Sequence, residues 1–345
     1  EDYDYKETIR NRHVWTAYRD TLAKFIIGER NPDASLIDIT IGLRWIYRFL
    51  IPLAIVNIPK VDVAHLTLSG FPLIPALIAN YKYGTKIMLT EHGVFIRERL
   101  LAINKSEYPY FLKSLLIRFS EAIARLAYYK ADVIISVTTF NQKWERWYGA
   151  DPKKFKIIYN GIDPKVFKPG SKPVVKETIP NVQYMVYGDD QAVPEYTQEC
   201  LDLIDELSLQ NNFKFMGPKN NPQEIFLEGD ISILTSISEG FPYTVIESMG
   251  CGIPVVSTDV GGVKEALDES CGFTCKPKDA EEIGRYVTKL LLDEELRKTM
   301  GKNAREKVLN NFTLNKFIGE YEDVYSVIMK SEKPKPKLAK IKDFS

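Results

Sequence analysis

The sequence predicts an α/β protein with two domains, each a parallel sheet covered by helices on both faces. Short apolar runs rich in β-branched residues alternate with amphipathic helical segments along the 345 residues, a pattern typical of doubly wound sheets. A chain of this length can bury two separate cores. The polar turn Asn160-Gly161-Ile162-Asp163-Pro164 follows a buried apolar run, as interdomain joins commonly do, so we place the domain boundary there.

The alternation of patterns also sets the expected order of elements. The predicted strands are 61–65, 86–90, 132–136, 156–159, 182–187, 213–215, 231–235 and 254–257. The predicted helices are 71–83, 105–129, 140–148, 194–207, 280–292, 294–310 and 314–329. The predicted domains are 1–160 and 161–313, followed by a helix at 314–330 with a return to the first domain as one option, and by a basic tail at 331–345.

The charge balance gives no reason to expect a nucleic-acid partner. Basic and acidic side chains each number 46, so the formal net charge is zero. The longest apolar stretch, 43–58, is interrupted by Arg44, Arg48 and Pro52 and is too short to span a bilayer, so it predicts a buried helix. The chain starts at Glu1 without an initiator Met, and no signal peptide is visible. We therefore expect a trimmed cytoplasmic protein, with peripheral attachment to the inner face of the cell membrane as an option.

The cysteines predict reduced thiols. They fit neither a disulfide framework nor a close CxxC pair. Cys271 and Cys275 are spaced like metal ligands, but the three histidines lie far from them in sequence, so no zinc site is predicted. The cysteines are Cys200, Cys251, Cys271 and Cys275, and the histidines are His13, His65 and His92.

The block from Ser238 to Thr258 carries the strongest functional signal. An apolar strand leads into a loop that holds Glu239 and turns through Gly240 and Pro242. A helix is predicted to begin at Tyr243 or Thr244, with Glu247 in its early part. The first N–H groups of a helix have no partner within it, so such a junction is an anion site. A diphosphate would fit there, with one glutamate on each side to accept hydrogen bonds from hydroxyls. These are the requirements of a nucleotide-sugar site.

This block resembles the donor-site signature of retaining GT-B glycosyltransferases, the large family that includes sucrose and glycogen synthases. Glu239 and Glu247 match its two glutamates. A second stretch, Thr90-Glu-His-Gly-Val-Phe-Ile-Arg-Glu-Arg99, is similar to the N-terminal-domain signature of PelF-type enzymes of Pel exopolysaccharide assembly. The resemblance extends from about Leu36 to Tyr325. It implies a GT-B fold, in which two Rossmann-like doubly wound domains, the first on the acceptor side, face each other across a cleft.

The resemblance implies a role for each site residue. Glu247 would bind the ribose hydroxyls, Glu239 would lie beside the donor sugar, and His92 would contact that sugar or the leaving phosphate. The predicted catalytic residues are His92 and Glu239. The predicted donor-binding residues are Gly161, Gly240, Phe241, Pro242, Tyr243, Thr244, Val245 and Glu247, with Arg97 and Arg99 as phosphate ligands.

Structural roles compete with several of these assignments. Glu247 alone could be a helix N-terminal charge that interacts favourably with the macrodipole. Arg97 and Arg99 could turn toward the cleft, or they could belong to the solvated start of a helix. A simple turn would also explain Gly161.

The implied activity is metal-independent hexosyl transfer with retention, from a UDP-sugar, foremost UDP-glucose, to a growing polysaccharide. No cofactor beyond the donor is expected, and membrane proteins of polysaccharide synthesis or export are candidate partners. Two alternatives stay open. One is another GT-B enzyme, a UDP-sugar epimerase or a transferase to a lipid or small molecule. The other is a catalytically silent nucleotide-sugar-binding subunit.

One part of the expected architecture is missing. GT-B enzymes carry an Arg and Lys unit that binds the donor diphosphate, and this chain has no room for it between Val175 and Lys176. The first domain also lacks an opening strand with its glycine loop. Either the protein is degenerate, or segments are absent from this sequence. We favour absent segments, because a doubly wound domain without its central strand should fold poorly.

Overall fold

A computed structural model describes residues 11–29, 35–51, 57–170 and 182–331. The chain divides into two compact units. The first contains the described residues up to Ile158 and those from Gly319 onward, and the second is Tyr159–Ile318. The last helix, Leu314–Lys330, therefore begins in the second unit and ends in the first. The expected Arg and Lys unit, between Val175 and Lys176, falls outside the described residues.

The first unit is built on a parallel sheet of four strands in chain order. Strand β2 is buried along its whole length, which explains its run of apolar residues, since a central parallel strand is covered on both faces. Its register pairs Leu89 with Ile134 and Glu91 with Ser136 on the next strand. The strands are β1 (Val63–Leu66), β2 (Lys86–Glu91), β3 (Val133–Ser136) and β4 (Phe155–Ile157).

Helices pack on this sheet around a large apolar core, and a smaller apolar cluster lies between helices of the same unit. The core includes Leu73 from a helix, Ile87 and Leu89 from β2, and Tyr128 from the longest helix, each with no more than 1% of its surface exposed. The helices are α1 (Arg12–Glu29), α2 (Leu36–Leu50), α3 (Leu73–Tyr83), α4 (Phe95–Lys105), α5 (Tyr110–Lys130) and α6 (Thr139–Trp147).

The second unit has two sheets, both parallel. The smaller pairs β5 (Tyr184–Tyr187) with β6 (Phe213–Gly217), and the larger has the order β7 (Ser232–Leu234), β8 (Val255–Thr258), β9 (Gly272–Cys275). Strands β8 and β9 approach closely at Gly272, where an added Cβ would lie 2.0 Å from the carbonyl oxygen of Val255. Its helices are α7 (Pro194–Glu206), α8 (Pro222–Glu228), α9 (Tyr243–Gly250), α10 (Val263–Ala266), α11 (Ala280–Leu292) and α12 (Glu294–Asn311), and α13 is the shared helix Leu314–Lys330.

The α/β architecture with parallel sheets is confirmed, and so are the eight predicted strands, each with shifted ends. The predicted helix 105–129 is wrong at its start. Two helices lie there, because Pro109 has an extended backbone and occupies the N-cap of α5. Proline suits a helix start and disrupts a helix interior.

The predicted buried helix at 43–58 begins earlier than expected. Helix α2 starts at Leu36 because Ser35 and Asp38 form a capping box, in which each side chain bonds the other residue's backbone N–H. Residues 52–56 lie outside the described residues. Among the helices that the structure describes, none is long and apolar enough to cross a bilayer.

Candidate functional site

The segment that runs from the end of β7 into α9 carries both predicted glutamates, Glu239 in the loop and Glu247 in the helix, and we call residues 235–247 the glutamate loop. Helix α9 begins at Tyr243, as predicted, and its N-cap residue is Pro242, which makes no side-chain cap hydrogen bond. The first-turn N–H groups of a helix have no acceptor within the helix itself. The start of α9 therefore has the character of an anion site, with Tyr243 and Thr244 both exposed.

Neighbouring segments hold Glu239 in place. Ser236 Oγ donates a hydrogen bond of 2.6 Å to Glu239 Oε1. Thr258, at the end of β8, donates through Oγ1 to the carbonyl oxygen of Ser236 at 2.5 Å. The N–H of Gly262 donates to the carbonyl oxygen of Gly240 at 2.7 Å. Glu239 is half-buried. The loop is bonded to neighbouring segments both before and after Glu239, at Ser236 and at Gly240.

The turn after β8 must be glycine at position 261. Gly261 has φ of 57°, in the left-handed region. A Cβ there would lie 2.2 Å from the carbonyl oxygen of Glu239 and 2.6 Å from that of Gly240. The contact between this turn and the glutamate loop is thus made by backbone atoms alone.

Phe241 supports the loop with its ring. It is 4% exposed, and its ring centre lies 5.3 Å from that of Tyr159 and 5.4 Å from that of Phe312. Asn160 Nδ2 donates to the Phe241 carbonyl oxygen at 3.2 Å. The ring is therefore part of the core, and the backbone of Phe241 is what a donor could contact.

Gly161 has a packing reason of its own. A Cβ on Gly161 would lie 2.5 Å from the carbonyl oxygen of Thr313. The neighbouring Ile162 forms a parallel bridge with Thr313. This close backbone approach accounts for the glycine without a ligand, and the predicted donor contact of Gly161 stays a prediction.

Glu247 and Tyr243 lie one turn apart on the same face of α9. Burial raises the pKa of Glu247. Burial also raises the pKa of Tyr243, and the negative charge of Glu247 raises it further. The opposite face of the helix is core, with Val245 only 1% exposed. Helix α9 thus presents a partly desolvated carboxylate beside an exposed phenol.

An arginine on α12 supports the far end of α9. The Arg305 guanidinium donates to the carbonyl oxygens of Gly250 and Pro164, each at 2.7 Å, and to that of Phe167. Carbonyl groups at a helix end lack intrahelical partners. Arg305 therefore binds the end of α9 to the segment that follows Gly161.

In the first unit, His92 follows β2 directly and is exposed at the carboxyl end of the sheet. The two arginines that follow lie on α4 and are not brought together. The guanidinium carbon of Arg97 lies 5.7 Å from the ring centre of Phe140, and that of Arg99 lies 5.7 Å from the ring centre of Trp45. Residues two apart on an α-helix point about 200° apart, so the two guanidinium groups lie against different aromatic rings, and their predicted phosphate contacts stay a prediction.

A second histidine, which the sequence analysis did not select, joins two strands to the last helix. His65 Nδ1 lies 2.7 Å from the Tyr325 hydroxyl oxygen, and His65 Nε2 lies 2.8 Å from Thr90 Oγ1. Thr90 Oγ1 lies 3.1 Å from the Tyr321 hydroxyl oxygen. Burial lowers the pKa of His65, and so does nearby His92. No local motif signals this cluster, because its members are up to 260 residues apart.

Two buried carboxyl groups beneath this edge were also missed. Glu91 and Glu145 each have none of their surface exposed. Burial raises the pKa of Glu91 to about 7 and that of Glu145 to about 8. In the part of the chain that the structure describes, no group of three or more acidic, His or Cys side chains is arranged to hold a metal ion.

Comparisons with known proteins identify the class to which this arrangement is similar. Residues 172–307, which include the glutamate loop, match the model of the family Glycosyl transferases group 1. Residues 1–153 match the model of a domain of unknown function, DUF3492. The second unit thus carries the family match, and the first matches a model without an assigned activity.

Curated relatives match in part. The chain is 32% identical to N-acetyl-alpha-D-glucosaminyl L-malate synthase of Bacillus anthracis over 141 residues, 41% of this chain and 37% of that protein. It is 34% identical to trehalose synthase of Pyrococcus horikoshii over 157 residues, 44% of this chain and 37% of that protein. The chain therefore spans well under half the length of these relatives.

Solved structures show the same fold. Sucrose-phosphate synthase from Thermosynechococcus elongatus has a TM-score of 0.65 at 18% identity, covering 77% of this chain and 73% of that one. Anabaena Alr3699/HepE in complex with UDP-glucose has a TM-score of 0.62 at 20% identity, covering 77% of this chain and 79% of that one. The predicted GT-B fold is thereby confirmed. The family match, to a glycosyltransferase model, lies within the C-terminal half of the chain.

Proposed function

We propose that this protein is a retaining glycosyltransferase of PelF type that transfers glucose from UDP-glucose to a growing Pel-type exopolysaccharide. The observation that carries the proposal is the glutamate loop, in which Glu239 and Glu247 flank the start of α9. Relatives named for sugar transfer, and UDP and UDP-glucose complexes of the Anabaena protein, support a UDP-sugar donor. The PelF type rests on the stretch from Thr90 to Arg99 and on the resemblance described for it.

In this proposal the glutamate loop binds the ribose, the diphosphate and the sugar of the donor. Glu247, one turn and a half into α9, accepts hydrogen bonds from the ribose hydroxyls. The backbone N–H groups at the start of α9 face the diphosphate, where the helix dipole favours negative charge. Glu239, kept in place by Ser236, accepts hydrogen bonds from the hydroxyls of the transferred sugar.

Bond cleavage leaves a pyrophosphate whose charge grows in the transition state. We infer metal-independent transfer, in which the N–H groups of α9 and cationic side chains stabilise that charge. The oxocarbenium-like sugar gains from nearby carboxylate and carbonyl oxygens. Retention follows if the acceptor attacks the face from which the phosphate leaves and gives its proton to that phosphate. His92 contacts the sugar or the leaving phosphate in this scheme.

A second acceptor class has support of its own. One relative, 31% identical over 118 residues and 31% of its own length, is named as a transferase to a diphospho-undecaprenol lipid in Campylobacter jejuni. Another is named for transfer to L-malate. A lipid or small-molecule acceptor would leave the donor site unchanged. Membrane proteins of polysaccharide synthesis or export are the proposed partners in the first case.

The test is calorimetric titration with UDP, UDP-glucose, UDP-N-acetylgalactosamine and GDP-mannose. We expect selective binding of uracil nucleotides, weakened at least tenfold, or by about 1.4 kcal/mol, in Glu247→Ala. Glu206→Ala is the matched control, because Glu206 is an exposed helical glutamate of the same unit. Binding of no nucleotide by the wild type would reject the enzyme, whereas binding without turnover would favour the catalytically silent nucleotide-sugar-binding subunit.

Turnover then separates the acceptors. The protein is incubated with the donor that binds and either an oligosaccharide or a polyprenyl-diphosphate sugar, and UDP release is measured. Product with an α linkage from an α-linked donor supports retention. Release of UDP only with the lipid acceptor would overturn the polysaccharide assignment and keep the transferase.

A further inference from the structure

Glu91 is an acidic residue in a fully buried position, where acids are rarely found. It is the last residue of β2, none of its surface is exposed, and it directly precedes His92. Burying a carboxyl group costs free energy unless hydrogen bonds replace those of water. A well-packed apolar side chain would fill the same space without that cost. The bonds that Glu91 makes therefore indicate what the acid does.

The carboxyl group joins segments that are far apart in sequence. Ser69 Oγ, in the loop after β1, donates to Glu91 Oε1 at 2.5 Å. The Tyr128 hydroxyl, on α5, donates to Glu91 Oε2 at 2.9 Å. The backbone amides of Ser69 and Phe95 also interact favourably with the charged carboxylate. Phe95 is the first residue of α4, so Glu91 also bonds the start of that helix.

The main chain of the same residue is held as well. Asn141 Nδ2, on α6, donates to the carbonyl oxygen of Glu91 at 3.3 Å. That carbonyl belongs to the peptide bond whose nitrogen is that of His92. The residue that precedes His92 is thus bonded to four parts of the first unit: the loop after β1, α4, α5 and α6. These bonds fix the backbone that carries His92.

We propose that Glu91 is a positioning residue for the predicted catalytic His92, and this rests on the proposed function. Its buried carboxyl group fixes the turn from β2 into α4, so that the imidazole is held in one orientation toward its substrate. Catalytic groups depend on placement of this kind, since small displacements of a reacting group lower the rate strongly.

Glu145 supplies a matched control. It is the other fully buried glutamate of this edge and accepts a hydrogen bond of 2.6 Å from Ser136 Oγ. It lies on α6, not in the turn that carries His92. The charges of Glu145 and Glu91 interact, so replacement of Glu145 should alter stability as a buried acid does and affect His92 less than replacement of Glu91.

The first test needs no turnover. The chain has only three histidines, His13, His65 and His92, so NMR of histidine-labelled protein resolves each imidazole, with His92→Gln as the assignment. We expect the chemical shifts of the His92 imidazole to move in Glu91→Gln and in the milder Tyr128→Phe, which keeps the ring. Glu145→Gln should move the His92 signal less than Glu91→Gln does, and exposed His13 should not move in any variant. A His92 signal that is unmoved by both variants, or moved equally by Glu145→Gln, would overturn the proposal.

The second test is kinetic and uses full-length protein with UDP-glucose. In Glu91→Gln we expect kcat to fall at least tenfold while the donor KM changes less than twofold, because the ribose and most of the other donor contacts are assigned to the glutamate loop. The double variant Glu91→Gln/His92→Ala should be no slower than His92→Ala. Multiplying losses would overturn the proposal. If the wild type turns over no donor, the proposed function fails, and the NMR result still decides the role of Glu91.

Discussion

Two loops of this protein follow the ends of parallel strands, and they are held by different means. The glutamate loop of the second unit is held through its own carbonyl groups, which accept hydrogen bonds from the Gly262 N–H and from the side chains of Thr258 and Asn160. Gly261 makes the close approach sterically possible. The turn after β2 in the first unit is held by side chains instead, with Ser69 and Tyr128 bonded to Glu91.

The carboxyl groups of the two loops have opposite exposure. Glu239 and Glu247 are half-buried and can reach a ligand, whereas Glu91 is fully buried and bonds only protein. A loop that is held through its backbone leaves its acids available for binding, and it is sensitive to side-chain atoms added at the close backbone contact. A loop held by a buried acid depends on the protonation of that acid. The two units should therefore respond to different perturbations.

The largest effect that we expect is a loss of stability of the first unit as the pH rises. Burial raises the pKa of Glu91 from about 4.5 to about 7, and that of Glu145 to about 8. Between the unfolded and folded values the native state keeps a proton that the unfolded chain releases, so the stability that these two groups contribute is complete below pH 4.5 and is lost as the pH rises through 7 and 8. For Glu91 this amounts to about 3 kcal/mol.

Urea unfolding at pH 5, 7 and 9 measures this effect. Tryptophan fluorescence reports on the first unit alone, because all four tryptophans, Trp15, Trp45, Trp144 and Trp147, lie in it. Glu91→Gln should lessen the slope between pH 4.5 and 7, where Glu145 also contributes, and should leave the slope between pH 7 and 8 to Glu145. The groups that face Glu91 and Glu145 are Tyr128, Ser69, Ser136 and the Arg146 charge. Stability that is constant or rises over this range would contradict the buried-acid account.

The next effect is steric and belongs to the second unit. Gly261→Ala places a Cβ within 2.2 Å of the Glu239 carbonyl oxygen, at a backbone angle that alanine rarely adopts. We expect a destabilisation of about 2 kcal/mol and at least a tenfold loss of UDP affinity, since the glutamate loop must move. Calorimetry measures both. Gly284→Ala is the control, because a Cβ there meets nothing within 4 Å, and on exposed helix α11 it should stabilise by about 0.5–1 kcal/mol. Equal affinities of the two variants would show that this contact does not shape the site.

The same contrast explains what the sequence could predict. The glutamate loop was predictable because Glu239, Gly240, Pro242 and Glu247 lie within nine residues of one another, and glycine and proline mark a strand-to-helix turn. The buried strands were predictable for a similar reason, since their apolar runs are local. The helix start at Tyr243 followed from the same residues.

The supports of the first-unit site were not predictable in this way. Ser69 lies 22 residues from Glu91, Tyr128 lies 37 residues from it, and Tyr325 lies 260 residues from His65. Each is an ordinary polar residue until the fold brings it to its partner. Strand β9 was also missed, because Gly272 and Cys275 give it no β-branched run, and its place is set by the close backbone approach to Val255.

The smallest effect that we expect is a loss of stability of the second unit as the pH falls. Its direction is opposite to that of the first prediction. The Lys307 ammonium donates to Asp268 Oδ2 at 2.6 Å, and with Ser270 it lowers the pKa of Asp268 from 3.8 to about 2. A lowered acid pKa gives stability that is present above pH 3.8 and is lost as pH falls through about 2. The Asp268 side chain is 51% exposed, so solvent screening limits the gain to less than about 1 kcal/mol. Lys307→Met should therefore destabilise slightly at pH 6 and less at pH 3, measured by urea unfolding with circular dichroism. Lys302→Met, an exposed lysine of the same helix, should show neither loss, and identical behaviour of the two variants would remove the ion pair from the account.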